Sequence, residues 1–336
     1  MNRPNAAAPG AIGVSIALCT YKGESYLAAQ LDSILAQTRL PDELVVCDDA
    51  SPDGTWALLQ DYAPRVRAAG IRLVLHRNPA NLGYVGNFQQ ALETTTGAIV
   101  FLCDQDDAWH PTKVARYLPE FERRPDLLVL HSDARLVDGD GADMRCRLFE
   151  ALEVTRDEFD SIHAGRAFEV LVRRNIVTGA TMALRRKVFE TGLVAPKGWI
   201  HDEWLAMIAT FMGTVDCLEE PTIDYRQHAG NQVGARRRGF VERLTGGGMS
   251  RLEFMTRTLL RTQTLLDVAE TGPLRLDAPS LQMLRGRLLH ARFRATPPEH
   301  WPARLAAVLR EYASGRYSRF SNGPRSALSD LLLLRK

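Results

Sequence analysis

Phe101-Leu102-Cys103-Asp104-Gln105-Asp106-Asp107-Ala108-Trp109 runs from an uninterrupted apolar stretch straight into three carboxylates within four positions. The apolar part starts at Ala98 and lacks the polar alternation of a half-exposed strand, so it reads as a strand buried on both faces. Carboxylates this close repel one another, and a bound cation is the cheapest way to keep them ionised. A hard divalent ion such as Mg2+ or Mn2+ suits oxygen ligands together with a diphosphate. A solvated acidic turn at the start of the next helix has the same pattern, because acids favour helix N-termini.

Upstream, the same kind of apolar run recurs. Val14 to Leu18 leads into Cys19-Thr20-Tyr21, and Leu27, Leu31, Ile34 and Leu35 follow at one-face helical spacing. Pro41 breaks that helix, Leu44 to Cys47 gives a second strand, and Asp48-Asp49-Ala50-Ser51-Pro52-Asp53-Gly54 forms a loop before a helix from Thr55. Ile71 to Leu75 reads as a third strand, Gly86 to Thr94 as a helix, Thr112 to Arg123 as another helix, and Leu127 to His131 as a fifth strand. Such alternation predicts an α/β fold with a mixed, mostly parallel Rossmann-like sheet covered on both faces. Ligands of open sheets bind beyond the carboxyl ends of the strands, where Thr20 and Tyr21, Asp48 and Asp49, and Asp104 to Asp107 would converge.

The chain's 336 residues, 45% hydrophobic and 24% charged, suit one large domain with an appended piece. From Arg236 onward there are nineteen Arg or Lys against eight Asp or Glu, a surplus of eleven, which leaves −9 for the preceding residues within the overall +2. Cys19, Cys47, Cys103, Cys146 and Cys217 have no paired spacing, which fits a reducing cytosol, and those at 19, 47 and 103 read as buried thiols. Residues 1–13 lack a signal-peptide core and read as a flexible leader. No apolar run is long enough to span a membrane, so a cytoplasmic protein with at most peripheral contact is expected.

Five further blocks, in order and spacing, carry a resemblance. They are Thr20-Tyr21-Lys22-Gly23-Glu24 through Thr38, Pro41 to Leu44, Cys47 to Thr55, Asn81-Leu82-Gly83-Tyr84 with Asn87-Phe88, and Asp104-Gln105-Asp106-Asp107. Over residues 14 to 235 the chain resembles family 2 glycosyltransferases, nearest to bacterial enzymes of the rhamnosyltransferase type. The resemblance implies a GT-A-type nucleotide-sugar-binding fold, inversion at the anomeric carbon, and a divalent metal bridging the donor diphosphate to a DxD-type motif. It implies that Asp48 or Asp49 bonds a pyrimidine base, that Thr20 and Tyr21 line the nucleotide pocket, and that Glu24, Gly83, Asn87 and Gln105 surround it. Asp104 and Asp106 would meet the ribose or the metal, with Asp107 as a further metal ligand. Many relatives carry a basic residue where this chain has Gly86.

Trp199-Ile200-His201-Asp202-Glu203-Trp204 resembles the segment that holds the catalytic base, with Asp202 as the base and Glu203 as its rival. Thr178 and Gly179, with His201, Glu203 and Trp204, would lie on the acceptor side. In Tyr225-Arg226-Gln227-His228-Ala229-Gly230-Asn231, His228 would complete the metal shell or contact the diphosphate, and Arg226 suits bidentate phosphate binding.

The expected organisation is a leader at 1–13, a catalytic domain at 14–235 with nucleotide-binding (14–132) and acceptor (133–235) halves, and a basic helical region at 236–336. That region would lie on an anionic membrane, grip an acidic acceptor, or pack as a bundle on the catalytic domain or a second subunit in a homo-oligomer. Aromatic residues are too sparse among its arginines for nucleic-acid binding. The function expected is transfer of a sugar from a dTDP or UDP donor to a hydroxyl of a glycan or lipid-linked acceptor in bacterial surface polysaccharide synthesis, with L-rhamnose favoured by the resemblance. The alternative is a nucleotide-sugar-binding scaffold that keeps the fold without turnover.

Overall fold

All seven residues of β1 (Val14–Thr20) are buried, as an apolar run flanked by other strands must be. The structure, a computed structural model, describes residues 12–228 and 250–332. Residues 1–11 of the expected leader, Ala229, Gly230 and Asn231 of the last motif, and the expected boundary at 235 lie outside the described residues.

After β1 come α1 (Leu27–Leu35), β2 (Glu43–Asp48), α2 (Thr55–Ala68), β3 (Arg72–Arg77), α3 (Gly83–Thr94) and β4 (Ile99–Cys103). Then follow β5 (Ala108–Trp109), α4 (Lys113–Arg123), β6 (Leu127–Val137), β7 (Asp143–Arg147), α5 (Leu148–Ala151), α6 (Arg156–His163), α7 (Ala167–Leu171), β8 (Ala183–Arg185), α8 (His201–Met212) and β9 (Thr214–Arg226). The expected α1 face is the buried one, with Leu27, Leu31 and Ile34 inside. At roughly 1.5–3 kcal/mol per fully buried aliphatic side chain, strands β1, β2 and β4 supply much of the driving force for this layer.

The strands form one sheet in the order β3-β2-β1-β4-β8-β6-β9-β5, with β7 on β6. The β3-β2-β1-β4 segment is parallel, and its register sets Thr20 beside Asp48 and Leu18 beside Cys103. The loops leaving β1, β2 and β4 therefore open on one edge. The expectation of a mostly parallel sheet needs correction. Among the described residues four strand pairings are parallel and four antiparallel, so the sheet is mixed. The fifth apolar run, β6, does not neighbour β4; the short β8 lies between them, antiparallel to both, with Leu184 opposite Val100 and Val129. Hydrophobicity reports that a strand is buried but not its direction, which here depends on where the chain re-enters after a long excursion.

By compactness the described residues fall into two units. The first comprises 12–167, 176–195 and 200–228 and contains the sheet. The second comprises 168–175, 196–199 and 250–332. It contains α9 (Arg251–Thr271), α10 (Ala278–Ala295), α11 (Trp301–Ala313), α12 (Arg316–Phe320) and α13 (Pro324–Leu332). Its core includes Val308, Tyr317 and Ala327. Among the described residues no helix is long and apolar enough to cross a membrane.

Candidate active site

The end of β1 is tied to two other loops. The Thr20 hydroxyl donates to Asp48 Oδ1 at 3.0 Å, and Tyr21 and Gln105 exchange two bonds: Tyr21 N–H to Gln105 Oε1 at 2.8 Å, and Gln105 Nε2 to the Tyr21 carbonyl at 2.9 Å. Glu24 accepts the Gly54 N–H at 3.0 Å. Thr20, Tyr21, Asp48 and Gln105 are thus brought together, and Glu24 is tied to the loop that follows β2.

Asp48 and Asp49 are both buried and engaged. Asp48 accepts from Thr20, from the Ser51 N–H and hydroxyl, and faces Arg77 Nε at 3.4 Å. Asp49 accepts the N–H groups of Leu82 and Gly83 at 2.8 and 2.9 Å and the Asn78 amide at 2.8 Å, which anchors the start of α3. Asn87 likewise spends its amide on the Cys47 carbonyl at 2.9 Å. These bonds tie Asp48, Asp49, Gly83 and Asn87 into one connected group at the ends of β1 and β2 and the start of α3.

The acidic strand end behaves differently. Asp107 is almost fully buried; its Oδ1 accepts the Arg226 N–H at 3.0 Å, and its Oδ2 has no hydrogen-bond partner among the described residues. Burial, then the Asp106 and Asp104 carboxylates, hold Asp107 well above the usual carboxylate range. Burial, then Asp106 and Asp202, push Asp104 up to about 7. His228 Nε2 lies 2.8 Å from Asp106 Oδ2. Buried, mutually repelling carboxylates with an orphaned oxygen and an adjacent imidazole are the donor set a hard divalent cation would use, so the residues present fit such an ion.

The Arg226 guanidinium reaches backbone carbonyls of two loops. Its Nε donates to the Asp106 carbonyl at 2.9 Å, and its other arm to the Gly139 carbonyl at 3.0 Å and the Asp138 carbonyl at 3.4 Å. These bonds make Arg226 a clamp between the end of β9 and the acidic loop.

Asp202 enters from α8. Its Oδ2 accepts the Gly179 N–H at 2.6 Å and its Oδ1 the Glu203 N–H at 2.7 Å. Gly179 is needed there: a Cβ at that position would lie 3.2 Å from Asp202 Oδ2 and 3.3 Å from its Cβ. Thr178 accepts the Thr181 N–H to close this 3-10 turn (Gly179–Thr181). Trp204 packs inside and donates to the Leu193 carbonyl at 2.8 Å. Asp202 adds to the upward shift of Asp104, and Asp107, Asp104, Asp106 and Asp202 together reinforce the effect of burial in raising the Tyr225 phenol well above its usual value. Asp104 and Asp202 are therefore within electrostatic reach of each other, and all four carboxylates are within reach of the Tyr225 phenol.

One participant is absent from the sequence reading. Lys113, the first residue of α4, is fully buried, donates from Nζ to the Ala180 carbonyl at 2.7 Å, and sits 3.9 Å from the centre of the Trp109 ring. Burial lowers its ammonium to about 7, against the pull of Cys103, Asp107 and Asp104. The signal that could have found it is its placement: a lysine in the first helical turn opposes the helix dipole unless acids nearby call for it. A different group of ligand-type side chains, His163, Asp216 and Cys217, brings its donor atoms within 4.8 Å of one another. It lies at the opening of β9, whereas the acidic cluster meets that strand's last residue. There Asp216 is shared between Arg124 and His163 Nδ1, which makes an ion-pair network.

The model of the Glycosyl transferase family 2 matches residues 15–193, the stretch that carries β1, β2, β4 and all three acidic residues of the cluster. The chain belongs to that family. An uncharacterized protein of Mycobacterium tuberculosis is 28% identical over 221 residues, a match covering 64% of this chain and 59% of that protein. Two solved structures share the fold of this family 2 chain. Staphylococcus aureus TarS in complex with UDP-GlcNAc aligns at a TM-score of 0.60 and 17% identity, covering 96% of this chain and 88% of TarS. The mannosyltransferase PcManGT of Pyrobaculum calidifontis, in complex with GDP-Man and Mn2+, aligns at 0.52 and 18% identity, covering 95% and 78%.

Proposed function

We propose that the protein is an inverting, metal-assisted glycosyltransferase that moves a sugar from a nucleoside diphosphate donor to a hydroxyl of a glycan or lipid-linked acceptor. The observation that carries this reading is the buried Asp107 Oδ2, which has no hydrogen-bond partner among the described residues, at a strand end where Asp104 and Asp106 repel it and Asp202 acts on Asp104. Family membership and the likeness of fold to TarS and PcManGT support it.

Asp106, Asp107 and His228 would hold the cation, Mg2+ or Mn2+. When bound, that ion would offset the charge that builds on the departing diphosphate. The protein's own groups do the rest. Gly179 N–H holds the Asp202 carboxylate in one orientation. Asp202 takes the proton of the acceptor hydroxyl as its oxygen forms a bond to the anomeric carbon. The carbon–oxygen bond to the diphosphate breaks on the opposite face, and its electron pair leaves with the nucleotide. The Tyr21–Gln105 exchange keeps the nucleotide crevice closed against the acidic loop.

The donor we favour is dTDP-L-rhamnose, on the likeness of the motifs to rhamnosyltransferases, with bacterial surface polysaccharide synthesis as the setting. The test is calorimetric titration with dTDP and UDP, with and without Mn2+, followed by a donor screen read by mass spectrometry of the product. Binding should require the metal; equal affinity without it, together with no product from any donor, favours a non-catalytic scaffold.

A further inference from the structure

Beside Asp202, between α3, α8 and the loop around residues 192–195, the first unit contains a pocket with roughly 480 Å3 of unfilled space, counting its open mouth. Val85 and Leu92 from one face of α3, Leu193 and Val194 from the loop, and Trp204 and Leu205 from α8 give it apolar walls. Among the described residues that line it none is Lys or Arg, and the polar members besides the imidazole are Gln89 and Glu93, whose side chains bond each other at 3.0 Å.

Within those walls lies His201. It is nine-tenths buried and stacked on Phe88 with ring centres 4.0 Å apart at 15°, and neither ring nitrogen has a hydrogen-bond partner among the described residues. Burial drives the imidazole down to about 3, so it is neutral near pH 7 and carries one donor and one acceptor. Buried polar atoms of this kind are normally satisfied. Two left open in one ring mark a place where a ligand's polar atom recovers what burial cost. The pocket also adjoins the reacting centre: a Cβ on Gly179 would lie 3.4 Å from His201 Nε2 and 3.2 Å from Asp202 Oδ2.

We propose that this pocket takes a neutral apolar group carried by the acceptor next to the hydroxyl that Asp202 serves, with His201 bonding a polar atom at that group's inner end. The lack of cationic lining and the presence of Glu93 select against a phosphate or diphosphate in this position. The link to the acceptor rests on the glycosyltransferase reading; the affinity of the pocket does not.

The test uses the full chain with 15N-labelled histidines, the His201 ring signals being assigned by their loss in His201→Phe. Octyl β-D-glucopyranoside below its micelle concentration, methyl β-D-glucopyranoside and octyl phosphate serve as probes. Octyl glucoside should shift the His201 signals saturably, with the other two at least about tenfold weaker. Val85→Trp, on the half-buried pocket wall, should abolish that shift while leaving metal-dependent dTDP or UDP binding intact. No saturable shift, equal binding of the methyl glycoside, tighter binding of the phosphate, or an unaffected Val85→Trp variant each overturns the proposal. If nucleotide binding fails while octyl glucoside still moves His201, the pocket stands and the glycosyltransferase reading falls.

Discussion

Asp202 and Asp104 have carboxylates of different standing, and their difference predicts two measurements. Asp202 accepts two backbone N–H bonds, from Gly179 and Glu203, which orient it without needing its charge for the fold. Asp202→Asn keeps the side chain's shape but can accept only one of these two bonds; it should leave nucleotide affinity within about twofold and cut turnover by about 100- to 10,000-fold. A variant that turns over normally would remove Asp202 as the base. Asp104, pushed up to about 7 by burial, Asp106 and Asp202, competes with any cation for its own proton. As pH falls through 7 the carboxylate protonates and loses its attraction for metal, so Mn2+ affinity should weaken by roughly tenfold per pH unit for each proton bound. Titrations at pH 8, 7 and 6 check the sign, and a flat profile rules out Asp104 as a coupled group. The acids at 104–107 were legible in the sequence because like charges at a buried strand end need an explanation. That Asp48 is bonded by Thr20 and Ser51, and Asp49 by Asn78, Leu82 and Gly83, was not, since sequence spacing does not show which way a carboxylate turns.

At the scale of elements, the sequence disclosed those whose burial is uniform or periodic, namely β1, β2, β4 and the apolar face of α1. It missed those defined by long-range pairing. The two-residue β5 exists because Ala108 and Trp109 find Asp224 and Ile223 in β9, a partner more than a hundred residues away. Lys113 belongs to this category, because its meaning lies in the link it makes between α4 and the turn that holds Asp202. Its Nζ bonds the Ala180 carbonyl, and the neighbouring Gly179 N–H bonds Asp202. Lys113→Met preserves length and apolar packing but leaves that carbonyl unpaired and the buried acids without this ammonium. We expect the metal-free protein to lose about 1–3 kcal/mol, read from the shift in its urea midpoint, and Mn2+ to restore part of the loss by supplying positive charge at the acids. Stability unchanged in metal-free buffer would show that the lysine is a bystander.

At the scale of the whole molecule, the lopsided charge of the chain takes on a different meaning once the side chains are placed. The basic C-terminal stretch suggested a surface seeking anions, yet within its helical unit arginines are spent internally. Arg304 serves the carbonyls of Leu331, Pro298 and Glu299, Arg287 that of Phe320, and Arg316 pairs with Glu311. Asp330 shows the logic most clearly. It is fully buried and receives Arg251, Arg294 and the Tyr317 hydroxyl, the last at 2.8 Å, so α9, α10, α12 and α13 meet on one carboxylate. Removing one partner of a buried pair leaves the other charge uncompensated, typically at about 3–5 kcal/mol. Asp330→Ala should therefore lower the thermal midpoint of the helical unit, followed by the exchange protection of amides in α9, α10 and α13. Among the described residues the bonds to Asp330 come from the helical unit itself, so metal-dependent nucleotide binding should persist at temperatures where the variant's remaining fold is intact. Simultaneous loss of both properties under those conditions would mean that the two units are not separable in stability, and that the arginines serve the site as well as the bundle.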